Sequence, residues 1–226
     1  QPLFTSSATA SMVMLVMGRD HTLYYEAYND TTDLDGDGVL DIKFKPEISY
    51  EGYFDSRTCY TYDHTSNPKQ FKPSSNTTSP ISLASTCSGE WSGNFLNYLT
   101  MTRMDVLRKV LYGGFRRTDL ANETVLERVY VPQDGHSWGK SYTSEAVDGY
   151  DIRKFSDIDA PPGTGQQHFF GSVTYQGATH APILRVRKNV PNGAGDWGIW
   201  SWAATERPVL NETTLGGSAD NYEVRV

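Results

Sequence analysis

Helical periodicity enters this chain abruptly at Trp91 and stops at Gly113-Gly114, and that boundary constrains the fold more than any other feature. Within it Leu96, Leu99, Met104, Leu107 and Leu111 recur at three-, four- or five-residue intervals, which predicts one apolar stripe on a helix over residues 93–112. Ser92 or Asn94 supplies a cap, Arg108 and Lys109 suit the negative carboxyl end, and the paired glycines permit the left-handed stop. The flanks read as strands. Residues 11–18 form a short continuous apolar run, the pattern of a central strand buried on both faces. Residues 124–132 and 183–190 alternate apolar with polar positions, and residues 222–226 look like a strand cut off at its end. An α/β protein follows.

Residues 20–90 are rich in Tyr, Asp, Ser and Pro and lack helical periodicity, so they read as irregular β-structure and loops inserted between the first strand and the helix. Hydrophobic residues make up 38% of the 226 and aromatics 12%, which excludes disorder throughout and fits one large domain. A net charge of −7 without any Lys/Arg run excludes nucleic acid as a partner. The longest apolar stretch, Met12 to Met17, falls far short of the roughly 20 residues a spanning helix needs. The start Gln-Pro-Leu-Phe lacks a basic region followed by an apolar one, and an initial Gln without Met reads as the processed start of a secreted chain. Cys59 and Cys87 lie in Gly/Ser/Thr/Asn-rich surroundings, and a disulfide between them would brace a segment with little to offer a core, at about 3 to 4 kcal/mol.

The strongest chemical motif is Asp33-Leu-Asp35-Gly-Asp37-Gly-Val39-Leu-Asp41, with carboxylates at relative positions 1, 3, 5 and 9 and Gly38 at 6. Alternating carboxylates converge on one hard cation, and the glycine turn lets Val39 present its carbonyl, as in an EF-hand calcium loop. Ca2+ is the expected ion, because an all-oxygen ligand set does not suit zinc or copper. Position 12 is Phe44 rather than Glu, so Asp30, Glu47 or water would complete the shell. Catalytic patterns are absent. The five histidines are scattered, Asp134-Gly-His136-Ser137 reads as a hydrogen-bonded turn, and no Gly-x-Ser-x-Gly or phosphate loop occurs. No catalytic residue is assigned. Trp197, Trp200 and Trp202 read as strand packing, with a sugar-stacking platform as the alternative.

Several blocks in one order, among them Ala27-Tyr-Asn-Asp-Thr-Thr-Asp-Leu-Asp-Gly-Asp-Gly, Tyr50-Glu-Gly-Tyr-Phe-Asp, Trp91-Ser-Gly-Asn-Phe-Leu-Asn-Tyr and Met101-Thr-Arg-Met-Asp-Val-Leu-Arg-Lys-Val-Leu-Tyr-Gly-Gly, resemble the amino-terminal region of PilC/PilY proteins. The resemblance covers nearly the whole chain. It implies a von Willebrand factor A-like core, incomplete here, formed by residues 1–20 and 91–226, with residues 21–90 as a calcium- and disulfide-braced insertion in one domain. It implies an extracellular, non-enzymatic module of the type IV pilus, acting at the tip or in assembly. Its partners would be minor pilins or other tip proteins and a host or surface ligand. A self-assembling filament subunit, pairing as a homo-oligomer, and a carbohydrate-binding module are the competing readings. The adhesion-site motif Asp-x-Ser-x-Ser is replaced by Gly18-Arg-Asp20-His-Thr22, so that metal site is not carried over.

Overall fold

The helical stretch divides at Met101. The structure, a computed structural model, describes residues 14, 16, 18, 20–74, 87–131, 136–174, 181–191 and 218–226. In it α1 runs Gly93–Thr100 and α2 runs Arg103–Tyr112. Met101 between them is extended (φ −78°, ψ 135°). Thr102 starts the second helix through a reciprocal capping box, its hydroxyl accepting from Asp105 N at 3.0 Å while the Asp105 carboxylate accepts from Thr102 N at 3.3 Å. The single helix expected over residues 93–112 is corrected to two, because Thr-x-x-Asp restarts the ladder where the leucine spacing runs on. Ser92 caps α1 as expected, and Gly113 ends α2 in the left-handed region at φ 87°. The single stripe also fails. All eight residues of α1 are buried, whereas α2 buries only Met104 and Asp105 and leaves Leu111 exposed.

Among the described residues the strands form three antiparallel sheets. In the first, β2 (Gln70–Pro73), β1 (Cys59–Asp63) and β3 (Trp91–Ser92) lie in that order; in the second, β4 (Arg116–Leu120) pairs with β5 (Glu123–Leu126). The third holds β6 (Trp138–Tyr142), β7 (Gln166–Val173), β8 (Ile183–Pro191) and β9 (Ser218–Glu223) as neighbours in sequence order. Register sets Lys140, Phe170 and Val186 side by side, and likewise Trp138, Ser172, Leu184 and Tyr222. Both rows share one face. α1 covers it: the Leu99 carbonyl accepts from Trp138 Nε1 (3.0 Å) and Ser172 Oγ (2.8 Å), and the Phe95 ring lies 5.8 Å from Phe170.

The irregular segment before α1 is part of this core. Phe44, Tyr50, Tyr53 and Phe54 join Phe95, Leu96, Tyr98 and Leu99 in one buried cluster, which Tyr222 and Val224 complete from the far end of the chain. Backbone that forms no ladder must find its hydrogen bonds elsewhere. Asn94 and Asn97 supply them. Asn94 accepts from Tyr50 N and donates to Ile48 O, both at 2.8 Å, while Asn97 donates to Tyr50 O and Phe54 O at 2.8 Å and accepts from Phe54 N at 3.2 Å. A Cβ on Gly52 would stand 2.2 Å from the Asn97 side-chain oxygen, so this approach requires glycine. Cys59 and Cys87 are joined as a disulfide.

Of residues 11–18 only Met14, Val16 and Gly18 are described; none of these three is in a strand and Met14 and Val16 are 87% and 79% exposed, while the rest of the expected central strand lies outside the described residues. The described residues form a mixed α/β fold in which every strand pair is antiparallel, and the A-like core does not emerge from them. The Val226 N–H and carbonyl both pair with Leu126 (3.0 and 2.7 Å). The Trp197–Trp202 cluster lies outside the described residues. Among the described residues no helix is long and apolar enough to cross a membrane.

Candidate metal centre

The acidic motif folds as a loop held by its own side chains. Gly36 and Gly38 adopt φ +80° and +87°, which only glycine accepts without strain, and this winds the backbone around the carboxylates. Asp33 accepts from Gly36 N (2.7 Å) and Gly38 N (2.9 Å), Asp35 from Asp37 N (3.1 Å), and Asp37 from Val39 N (2.7 Å). One oxygen from each of Asp33, Asp35 and Asp37 lies within 4.8 Å of the other two. That spread suits a shared hard cation, since calcium–oxygen distances of about 2.3–2.6 Å place ligand atoms up to about 5 Å apart. It is the one group of three or more such side chains among the described residues.

Asp41 behaves differently. It is buried, accepts from Leu34 N at 2.5 Å and forms an ion pair with Lys45. The Lys45 hydrogen bond, then the Leu34 amide, hold its carboxyl below the usual range; Asp41 in turn raises Lys45, with the charges of Asp35 and Asp37 adding to the effect. Position 9 of the motif is thus a brace at the foot of the loop and stands outside the acidic triplet. The Val39 side chain is exposed, and Phe44, at position 12, is 2% exposed in the aromatic core. The departure from Glu at that position is therefore a packing requirement.

Both ends of the loop are pinned by lysines that the motif does not announce. Lys140 on β6, itself buried, reaches Glu26 (2.8 Å), Tyr28 O (2.9 Å) and Asp30 (3.4 Å) with its ammonium 4.7 Å from the centre of the Tyr98 ring. Burial pushes the Glu26 carboxyl up and Lys140 draws it back. Asp30 also accepts from Lys43 N at 3.2 Å, and Lys43 Nζ bonds Asp148, in the short helix α3 (Glu145–Asp148), at 2.6 Å. Thr32 O accepts from Asp41 N at 3.0 Å and closes the neck. The alternation of Lys43 and Lys45 around Phe44 was a visible signal for these braces; Lys140, a hundred residues away, was not.

Asp20 spends its carboxylate on Thr22, accepting from its N–H (2.8 Å) and hydroxyl (2.6 Å). His136 stacks on Tyr25 at 5.0 Å, Ser137 is buried, and Asp134 lies outside the described residues.

The family model described as PilY1 homolog, small alpha/beta domain, matches residues 41–186. A type IV pilus biogenesis factor PilY1 homolog of Xylella fastidiosa (strain Temecula1) is 49% identical over 197 residues, which cover 87% of this chain and 12% of that protein. A second protein of the same description and organism is 39% identical over 94 residues, 39% of this chain and 8% of that protein. The chain therefore spans a small part of the length of the curated relatives it matches. No solved structure matches. The family match begins at Asp41, so Asp33, Asp35 and Asp37 precede it.

Proposed function

The chain belongs to the PilY1 homologue family, and from that premise we propose that it is an extracellular structural module of a type IV pilus factor, braced by calcium and acting at the pilus tip or in pilus assembly. The observation that carries this reading is 49% identity over 87% of the chain to a protein described as a pilus biogenesis factor. The disulfide supports an oxidising compartment. In this reading the module performs no chemistry: it presents a rigid surface to minor pilins or other tip proteins and to a host or surface ligand. Asp33, Asp35 and Asp37 would hold the calcium, and Asp41 with Lys45 would keep the loop upright beneath it. A bound ion would neutralise three close carboxylates and stiffen the loop; it supplies no reactive group.

The test is genetic and uses the whole protein. A strain whose full-length protein lacks this domain should lose surface pili or tip labelling by immunogold electron microscopy, while the protein itself is still exported. Normal piliation and normal tip labelling would remove the reading.

A further inference from the structure

A concavity of about 570 Å3 opens where the turn from β1 to β2, strand β4 and the end of β9 meet. Its size lies in the range of small-ligand sites, roughly 300–1,000 Å3. In a chain of net charge −7 this groove is lined by Lys69, Arg117 and Arg225, with Glu223 as its one lining carboxylate. The charges are not equally free. Arg225 is spent, its Nε donating to Glu127 at 2.6 Å and its Nη1 to Glu223. Arg117 Nε forms only a long ion pair with the same Glu127 oxygen, at 3.9 Å and beyond hydrogen-bond reach, and its side chain is 57% exposed. Lys69 has no ion pair, and the side chains of Asn67 and Thr118 have no hydrogen-bond partner, among the described residues.

We propose that this groove binds an acidic saccharide, with Arg117 and Lys69 taking a carboxylate and Asn67 and Thr118 taking ring hydroxyls. A guanidinium whose donors lack a hydrogen-bonded acceptor pairs with a carboxylate in bidentate fashion, and this fixes the orientation of the sugar. Neutral polar groups beside it match a hydroxyl-rich ligand. Pro68 and Ala181 are the apolar lining residues, which leaves little for the side chains of a peptide to fill. The exposed His64 ring, edge-on to Tyr62 at 4.7 Å, offers a flat wall to a pyranose. The site lies apart from the acidic loop and needs neither calcium nor the tryptophan segment.

The probe is an unsulfated hyaluronate hexasaccharide, titrated by NMR at low salt with maltohexaose, inorganic sulfate and a hexaglutamate peptide as comparisons. The proposal expects saturable shifts centred on residues 64–69 and 117–118 with hyaluronate, affinity about tenfold weaker in Arg117→Ala and in Lys69→Ala, and no saturation with maltohexaose. Both substituted side chains are exposed, and unchanged melting curves would confirm that the variants fold. Equal binding of maltohexaose would overturn the proposal. So would sulfate or hexaglutamate matching hyaluronate, or variants that bind like the wild type.

Discussion

Residues 33–42 and residues 44–54 adjoin in the chain and obey opposite rules. The first run is held by hydrogen bonds from its own backbone to its own carboxylates, and Val39, Leu40 and Ile42 stand exposed beside them. The second has no regular structure either, yet Phe44, Tyr50, Tyr53 and Phe54 are buried, and the backbone at Ile48, Tyr50 and Phe54 is bonded by Asn94 and Asn97 of α1. Irregular backbone is stable in two ways: it closes on itself at the surface, or a rigid element supplies its partners in the core. The boundary is marked by Asp41 and Lys45, a salt bridge with a buried carboxylate.

That contrast is easiest to break at Phe44, whose ring contacts five other aromatics. Phe44→Ala should cost about 3–5 kcal/mol, read as a loss of the cooperative thermal transition or a fall of many degrees in its midpoint. A shift no larger than that of Leu40→Ala would place Phe44 with the surface loop instead. Next comes the disulfide. Replacing both Cys59 and Cys87 by Ser should cost about 3 kcal/mol in denaturant unfolding, because residues 60–86 regain their freedom when unfolded.

Lys45→Gln sharpens the comparison from the loop side. It leaves the Asp41 carboxylate without its cation beside three others, so calcium affinity should rise by about three- to tenfold in a chelator-competition assay, while the melting midpoint without calcium falls. Weaker binding would show that the hold of Lys45 on the loop outweighs the charge it sets against the ion. The smallest effect is a pH dependence that belongs to the core alone. His168 accepts from Asn189 N at Nδ1 (3.1 Å) and therefore donates from Nε2 to Asp159 O (2.8 Å), so the folded state holds it neutral. Burial pushes its pKa below the ordinary 6.5. The unfolded chain then binds the extra proton first, and stability, complete above that value, declines as pH falls from 6.5 toward the lower folded value. His168→Gln should flatten melting curves across that window without changing calcium binding.

The helix caps, the disulfide, the strand β8 and the acidic triplet were legible in the sequence because each depends on residues close in the chain or on a residue type with one common use, though the alternation in β8 did not foretell that Arg185 and Arg187 are buried as well. The break at Met101 was written in Thr102 and Asp105, but leucine spacing across the break is compatible with one helix, and periodicity hides a cap inside it. The burial of residues 44–54 was not legible. Their partners are two asparagines 40 or more residues away, and a buried Asn in a helix reads locally as a polar position. The Asp41–Lys45 pair was not legible for a related reason: motif spacing counts carboxylates and says nothing of a lysine four residues on.

The central claim, that residues 33–37 form a calcium brace on an otherwise self-sufficient core, is tested most directly by calorimetric calcium titration of the wild-type chain and of Asp35→Asn/Asp37→Asn, with melting of both. One saturable site, a midpoint raised by about 5–10 °C at a hundredfold excess over Kd, and loss of both in the double variant is the expected result. No binding heat and identical melting curves with calcium and with chelator would contradict it, and would leave the loop a self-bonded acidic turn.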